Sequence, residues 1–180
     1  DSSNFVDDGI KVERKVELYE HQTVSLQEIQ KRRDAGIKAF LIVLPTAAGK
    51  SKIVEEDLRT FAEGKQKFRG LILVPGVNLL LDWEERIKAS LPELKDKIDI
   101  RTYAFAARHY TDTTPDYYNY LVVDEAHHAV APVLKRVVQY YRTEFTIGLT
   151  ATDQRPDKRK LETVFGSYTT SLSLKEAMEK

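Results

Sequence analysis

The sequence predicts a three-layer α/β domain in which a mainly parallel sheet lies between two layers of helices. Two observations carry this. Short apolar runs at Phe40–Leu44, Leu71–Val74 and Tyr120–Val123 read as strands, the first buried on both faces, and Phe145–Leu149 is the last clear strand. Amphipathic stretches of helical spacing separate them, so strand and helix alternate along the chain. No internal repeat or low-complexity segment interrupts the alternation.

The elements follow in order. From about Glu20 to Arg33, Leu26 and Ile29 share a face with Gln22, the pattern of a short helix that Gly36 closes. After the Phe40–Leu44 strand, a second helix follows Ser51 with Ile53, Val54, Leu58 and Phe61 on one side, and Gly64 ends it. Pro75-Gly76 breaks the Leu71–Val74 strand, and Leu80, Trp83 and Ile87 form the stripe of the next helix. A weaker strand spans Ile98 to Thr102, before an aromatic-rich stretch and a turn-rich loop from Thr111 to Asp116. Beyond Val123, Pro132 suits a first helical position. Val133, Leu134, Val137, Val138 and Tyr141 make that helix's apolar stripe. Asp157 to Phe165 reads as helical, and a last helix starts at Leu174.

Composition bounds the function. Hydrophobic residues at 42% and charged residues at 31% place the 180 residues among globular rather than disordered chains. Lys plus Arg equals Asp plus Glu, 28 each, so bulk charge gives no nucleic-acid signature. Any such binding must rest on a local basic strip, on backbone amides or on a partner domain. The absence of cysteine excludes disulfides and thiolate metal sites and suits a cytoplasmic protein. No apolar run reaches the length of a membrane span, and no signal peptide is visible. The chain starts at Asp1 without an initiator methionine, which predicts a segment of a longer protein. Residues 1–16 are expected to form a flexible lead-in and residues 17–180 a single domain.

Pro45-Thr46-Ala47-Ala48-Gly49-Lys50-Ser51 follows a buried strand and opens a helix, the setting a phosphate-binding loop requires. Gly49 lets the backbone approach phosphate, and the amides of Thr46, Ala47, Ala48 and Gly49 point inward to hold it. The helix that follows offers its positive end. Lys50 then pairs with the β- and γ-phosphates of ATP, and the Ser51 hydroxyl ligates Mg²⁺. The alternative is that Gly49 merely ends a strand and Lys50 is a solvated charge. The general pattern begins with glycine, where this sequence has Leu44.

Asp124-Glu125-Ala126-His127 stands directly after the Tyr120–Val123 strand. A carboxylate at a strand tip beside such a loop holds Mg²⁺ through water, the role assigned to Asp124. The next carboxylate, Glu125, faces differently and orients and deprotonates the attacking water. Acids after a strand also commonly cap the following helix. His127 and His128 lack the cysteines or further histidines of a zinc site, and His127 is assigned to sensing the nucleotide.

This run of motifs resembles the first RecA-like lobe of superfamily-2 DEAH-type helicases and translocases, in the branch of type I and type III restriction-enzyme motor subunits. The likeness covers about residues 17–180 and implies a RecA-like P-loop NTPase domain. Tyr19-Glu20-His21-Gln22 resembles the upstream adenine-reading motif, which gives Gln22 that role. Val74-Pro75-Gly76-Val77-Asn78 resembles a nucleic-acid-contacting motif and Thr102-Tyr103 a second one. The resemblance therefore implies contacts from Pro75, Gly76, Asn78, Thr102 and Tyr103. Asp82-Trp83 extends the likeness towards chromatin-remodeller motors. Gly148-Leu149-Thr150-Ala151-Thr152 resembles the motif that couples hydrolysis to movement, giving Thr150 and Thr152 that role beside His127. Leu172 to Met178 resembles the helix that leads out of the lobe.

The implied activity is ATP hydrolysis coupled to movement on DNA, with a second RecA-like lobe supplying an arginine finger. The lobe alone is then expected to be nearly inactive. An RNA helicase or sensor, or a nucleotide-gated clamp that does not translocate, shares the same motifs. Arg101, Tyr103, Phe105, Arg108, His109 and Tyr110 could stack bases or pair phosphates, while Phe105 is expected to pack against the sheet.

Overall fold

The computed structural model describes residues 23–44, 49–151, 160, 164 and 171–173. Helix α1 runs over residues 23–34, followed by β1 (Ala39–Leu44), α2 (Lys50–Ala62), β2 (Gly70–Val74) and α3 (Val77–Ser90). Then come β3 (Ile98–Thr102), α4 (Tyr103–His109), β4 (Tyr120–Val123), α5 (Pro132–Tyr140), β5 (Phe145–Ala151) and β6 (Ser171–Ser173). The sheet has six strands in the order β3-β2-β4-β5-β1-β6, and every described pairing is parallel.

The apolar runs are continuous because both faces are covered, and the pleat divides them by alternate residues. Phe40, Ile42, Ile72, Val122 and Ile147 point to one face, against Ile53 and Leu58 of α2 and Trp83 and Ile87 of α3. Leu41, Val43, Leu73 and Val123 point to the other, against Ala106 of α4 and Leu134 and Val137 of α5. Such a sheet brings the carboxyl ends of all its strands to one edge, where ligands bind in open α/β folds.

The amino edge carries a closed polar cluster. Asp57, 2% exposed, receives both guanidinium nitrogens of Arg33 at 2.9 Å and the Tyr120 hydroxyl at 2.5 Å. The Arg33 guanidinium also lies over the rings of Phe145 and Phe61, 4.7 and 5.3 Å from their centroids. Burial alone would lower the Arg33 pKa, but the hydrogen bond and charge of Asp57 carry it above its ordinary value.

Four sequence expectations change. The aromatic-rich stretch after β3 is itself a helix, α4, capped by the Thr102 hydroxyl, which accepts from the Phe105 amide at 3.2 Å. That helix turns Ala106 inward, so Phe105 is 41% exposed and stacks on His109 instead of packing on the sheet. Val133 is 59% exposed, because the inward face of α5 is made by Leu134, Val137 and Val138. Leu172 and Ser173 belong to strand β6, paired with Ile42 and Val43, and not to an outgoing helix. Of the Asp157–Phe165 helix only positions 160 and 164 are described, both helical, and the segment from Leu174 lies outside the described residues.

Candidate nucleotide site at the carboxyl edge of the sheet

Two strands separated by β5 deliver the central residues. β1 leads to Gly49, which caps α2 with φ 78° and ψ 19°, a left-handed conformation that glycine adopts without steric cost. From the first turn of α2, Lys50 reaches across the edge, and its Nζ lies 2.9 Å from Asp124 Oδ1 and 3.7 Å from Glu125 Oε1. Lys50 is only 23% exposed and Asp124 1%, so the lysine is not a solvated surface charge. Ser51 follows in the same first helical turn, half-buried.

Asp124 is fixed through every polar group it has. Its amide donates to Leu73 O at 2.9 Å, which ties the tip of β4 to β2. Oδ1 accepts from Lys50 and, at 2.9 Å, from the Glu125 amide. Oδ2 accepts the indole N–H of Trp83 at 2.9 Å, and the carbonyl accepts the Tyr103 hydroxyl. That hydroxyl also lies 3.2 Å from Glu125 O. Burial, reinforced by the charges of Asp124 and Glu125, pushes the Tyr103 phenol well above its ordinary range, which keeps it a donor.

Glu125 has φ 54° and ψ 51°, the one left-handed non-glycine among the described residues. Backbone strain of this kind costs on the order of 1–3 kcal/mol and persists where the surroundings impose it. With this backbone, the Glu125 carboxylate lies near the same Lys50 ammonium that Asp124 holds. Neither acid caps a helix by its side chain: the short 3₁₀ turn Ala126–Val130 has no such bond, and α5 is preceded by Ala131. His127 Nδ1 lies 3.2 Å from Thr150 Oγ1 and 3.7 Å from Glu125 Oε2, which bridges the acidic pair to the end of β5.

The edge therefore brings together Gly49, Lys50, Ser51, Asp124, Glu125, His127, Thr150 and Tyr103. Pro75 and Asn78 lie exposed at the start of α3, with Gly76 between them as the residue before its first turn. A Cβ at Gly76 would meet nothing, so no neighbour within the domain demands glycine there. Thr102 is occupied in capping α4. Gln22, Thr46, Ala47, Ala48 and Thr152 lie outside the described residues. Sequence reading placed Trp83 in a hydrophobic stripe and in the Asp82-Trp83 likeness, but assigned it no role at this edge. A buried indole needs an acceptor for its N–H, and that requirement was the available signal.

Among the described residues no three histidine, aspartate or glutamate side chains converge as a ready-made metal cage. Mg²⁺ would need no such cage, since it keeps its waters and takes one or two protein oxygens together with phosphate. Asp124 Oδ1, facing the lysine, is such an oxygen.

A parallel sheet between helices, with this edge at the carboxyl ends of its strands, is a fold that solved structures share. The Pyrococcus furiosus Hef helicase domain superposes with a TM-score of 0.65 at 21% identity, over 83% of this chain and 38% of that one. The Sulfolobus solfataricus SWI2/SNF2 ATPase core in complex with dsDNA gives 0.67 at 20% identity, over 88% and 37%. The sequence matches the family described as type III restriction enzyme, res subunit, over residues 15–105 and 95–155, and the chain belongs to that family. It is 29% identical over 159 residues to the DNA 3'-5' translocase XPB2 of Sulfurisphaera tokodaii, covering 81% of this chain and 33% of the relative. It is also 29% identical over 156 residues to the putative ATP-dependent helicase IRC3 of Saccharomyces cerevisiae, covering 72% and 22%. The chain thus spans a third or less of these relatives. Family membership carries nucleoside-triphosphate use in general terms.

Proposed function

We propose that residues 17–180 are the ATP-binding lobe of an ATP-dependent DNA helicase or translocase working in the cytoplasm. One observation carries the reading: the Lys50 ammonium rests on Asp124 and beside Glu125, at the tip of a different strand from its own. A lysine held there by carboxylates is poised to exchange them for phosphate oxygens. Gly49 and the amides of Thr46, Ala47 and Ala48 cradle the phosphates, and Gln22 reads the adenine edge. Ser51 and, through water, Asp124 would hold Mg²⁺, which would supply charge neutralisation to the phosphates.

Glu125 orients the attacking water and takes its proton. His127, bonded to Thr150, senses the state of that site, and Thr150 and Thr152 pass it on as coupling residues. Pro75, Gly76, Asn78, Thr102 and Tyr103 form the nucleic-acid side. DNA is favoured over RNA by the translocase relative, whose name specifies DNA. A second RecA-like lobe supplies the arginine that completes the site, a group worth about 10³–10⁵ in rate, so the 180-residue chain alone turns over ATP barely at all.

Lys50→Ala should abolish tight ATP binding while leaving the fold intact. Glu125→Gln in the full-length protein should bind Mg·ATP as before and hydrolyse it about 10²–10⁴-fold more slowly. Nucleotide titration and steady-state turnover check both, and a well-folded Lys50→Ala with undiminished ATP affinity would overturn the assignment.

A further inference from the structure

The two segments assigned to nucleic acid each send one hydrogen bond into the acidic pair. Pro75-Gly76 opens α3, and from that helix Trp83 donates to Asp124 Oδ2. Thr102-Tyr103 opens α4, and Tyr103 in its first turn donates to the carbonyls of Asp124 and Glu125. The strands stand in the order β3-β2-β4, with α3 on one face of the sheet and α4 on the other, so the two bonds reach the tip of β4 from opposite faces.

We infer that Trp83 and Tyr103 are positioning residues that carry nucleic-acid contact directly to the acidic pair, an inference that rests on the function proposed above. Each acts on a different degree of freedom. The indole grips one carboxylate oxygen of Asp124, which fixes the rotation of that carboxylate and keeps Oδ1 toward Lys50. The phenol donates chiefly to the Asp124 carbonyl with the Glu125 carbonyl beside it at 3.2 Å, so it touches the peptide on each side of the Glu125 α-carbon and holds the residue in its left-handed backbone. That backbone decides where the Glu125 carboxylate points.

Both donors are short of freedom themselves. Trp83 is 2% exposed and packed among the residues of one core. The Tyr103 ring packs on the other core and sits edge-on to His128 at 6.2 Å. A shift of either helix on binding DNA therefore moves the carboxylate or the peptide, with no intervening side chain to absorb it. The proximity of general base and water is the term most sensitive to such a shift, since small misplacements cost large factors in rate.

The test is ATP turnover of the full-length protein with and without duplex DNA, for wild type, Tyr103→Phe and Trp83→Phe. Tyr120→Phe is the control, the same loss of a buried hydroxyl but at the opposite edge. Tyr103→Phe should lower DNA-stimulated kcat about tenfold while KM for ATP stays within about twofold. Trp83→Phe should do the same, and the double variant should lose less than the product of the two. Trp83→Phe also opens a cavity, so Tyr103→Phe, which removes a single oxygen, decides the matter if the tryptophan variant does not fold. Wild-type stimulation with an unchanged Tyr103→Phe overturns the inference alone, as does an equal loss of stimulation in Tyr120→Phe. A wild type that DNA does not stimulate overturns the functional reading and the inference with it.

Discussion

Asp57 and Asp124 are buried to the same degree, 2% and 1% exposed, and each faces a cation. They stand at opposite edges of one sheet and are bonded in opposite ways. Asp57 meets a planar guanidinium with both oxygens, and a phenol completes its shell. Arg33 is in turn roofed by two aromatic rings. Nothing there is left to exchange. Asp124 meets a flexible ammonium through one oxygen, and its other oxygen is held by an uncharged indole. Arginine forks suit permanent pairs, while a lysine is a mobile point charge that can move to another anion. Burial alone thus fails to separate a structural carboxylate from a functional one, and the geometry of the cation separates them.

The comparison breaks most easily on stability. Asp57→Ala should destabilise the fold by about 3–5 kcal/mol, because it strands a buried guanidinium and a buried hydroxyl. Asp124→Asn keeps the shape and one oxygen for the indole but turns an amide NH2 toward the Glu125 amide; Lys50 can turn to water, so its cost should be smaller, about 1–3 kcal/mol. Chemical denaturation of both variants measures the gap; equal losses would mean that the Lys50–Asp124 pair is as structural as its counterpart.

A smaller effect should come from the backbone next to Asp124. Glu125→Gly removes the left-handed strain and should raise stability by about 1 kcal/mol while turnover is lost. The cluster around Asp57 offers no comparable gain, since none of its members has a positive φ. A drop in melting temperature for Glu125→Gly would show that the strain is not where the dihedral angles place it.

The smallest effect concerns Glu55, a third buried acid, on α2 between the two edges. Burial raises its carboxyl above the ordinary range, against the opposing pull of Lys52. An acid whose folded pKa is raised is most favourable to folding when protonated, and its cost appears as pH rises through that range. Glu55→Gln should therefore raise the melting temperature at neutral pH and leave it nearly unchanged in mild acid. Melting curves at both pH values check the sign, and an effect confined to acid would contradict it.

Much of this was legible in the sequence, for reasons that can be named. β1, β2 and β4 are buried on both faces, so their runs carry no competing polar period, while β5 alternates Phe145, Ile147 and Leu149 with Thr146, Gly148 and Thr150, itself a strand pattern. Gly49-Lys50-Ser51 and Asp124-Glu125 are contiguous, and contiguous residues at strand tips announce themselves. α4 was not legible, because its seven residues expose Phe105 and bury only Ala106, which leaves no apolar stripe to read. β6 is a short Ser-Leu-Ser edge without a pattern of its own. The Arg33–Asp57–Tyr120 cluster joins residues far apart in the chain, and no local signal predicts such a meeting. Trp83 and Tyr103 were visible as side chains but not as donors, since their acceptor lies at the tip of β4.

β6 also gives the fold a mechanical property. Its three residues pair in parallel with Leu41, Ile42 and Val43, the strand that runs on to Gly49 and Lys50. Tension applied to the chain after Ser173 acts along the direction of both strands. The rungs between them then share the load in shear, unlike a hairpin peeled open one rung at a time. The strand that receives the load is β1, so a pull at Ser173 along β6 would be borne by Leu41, Ile42 and Val43 together.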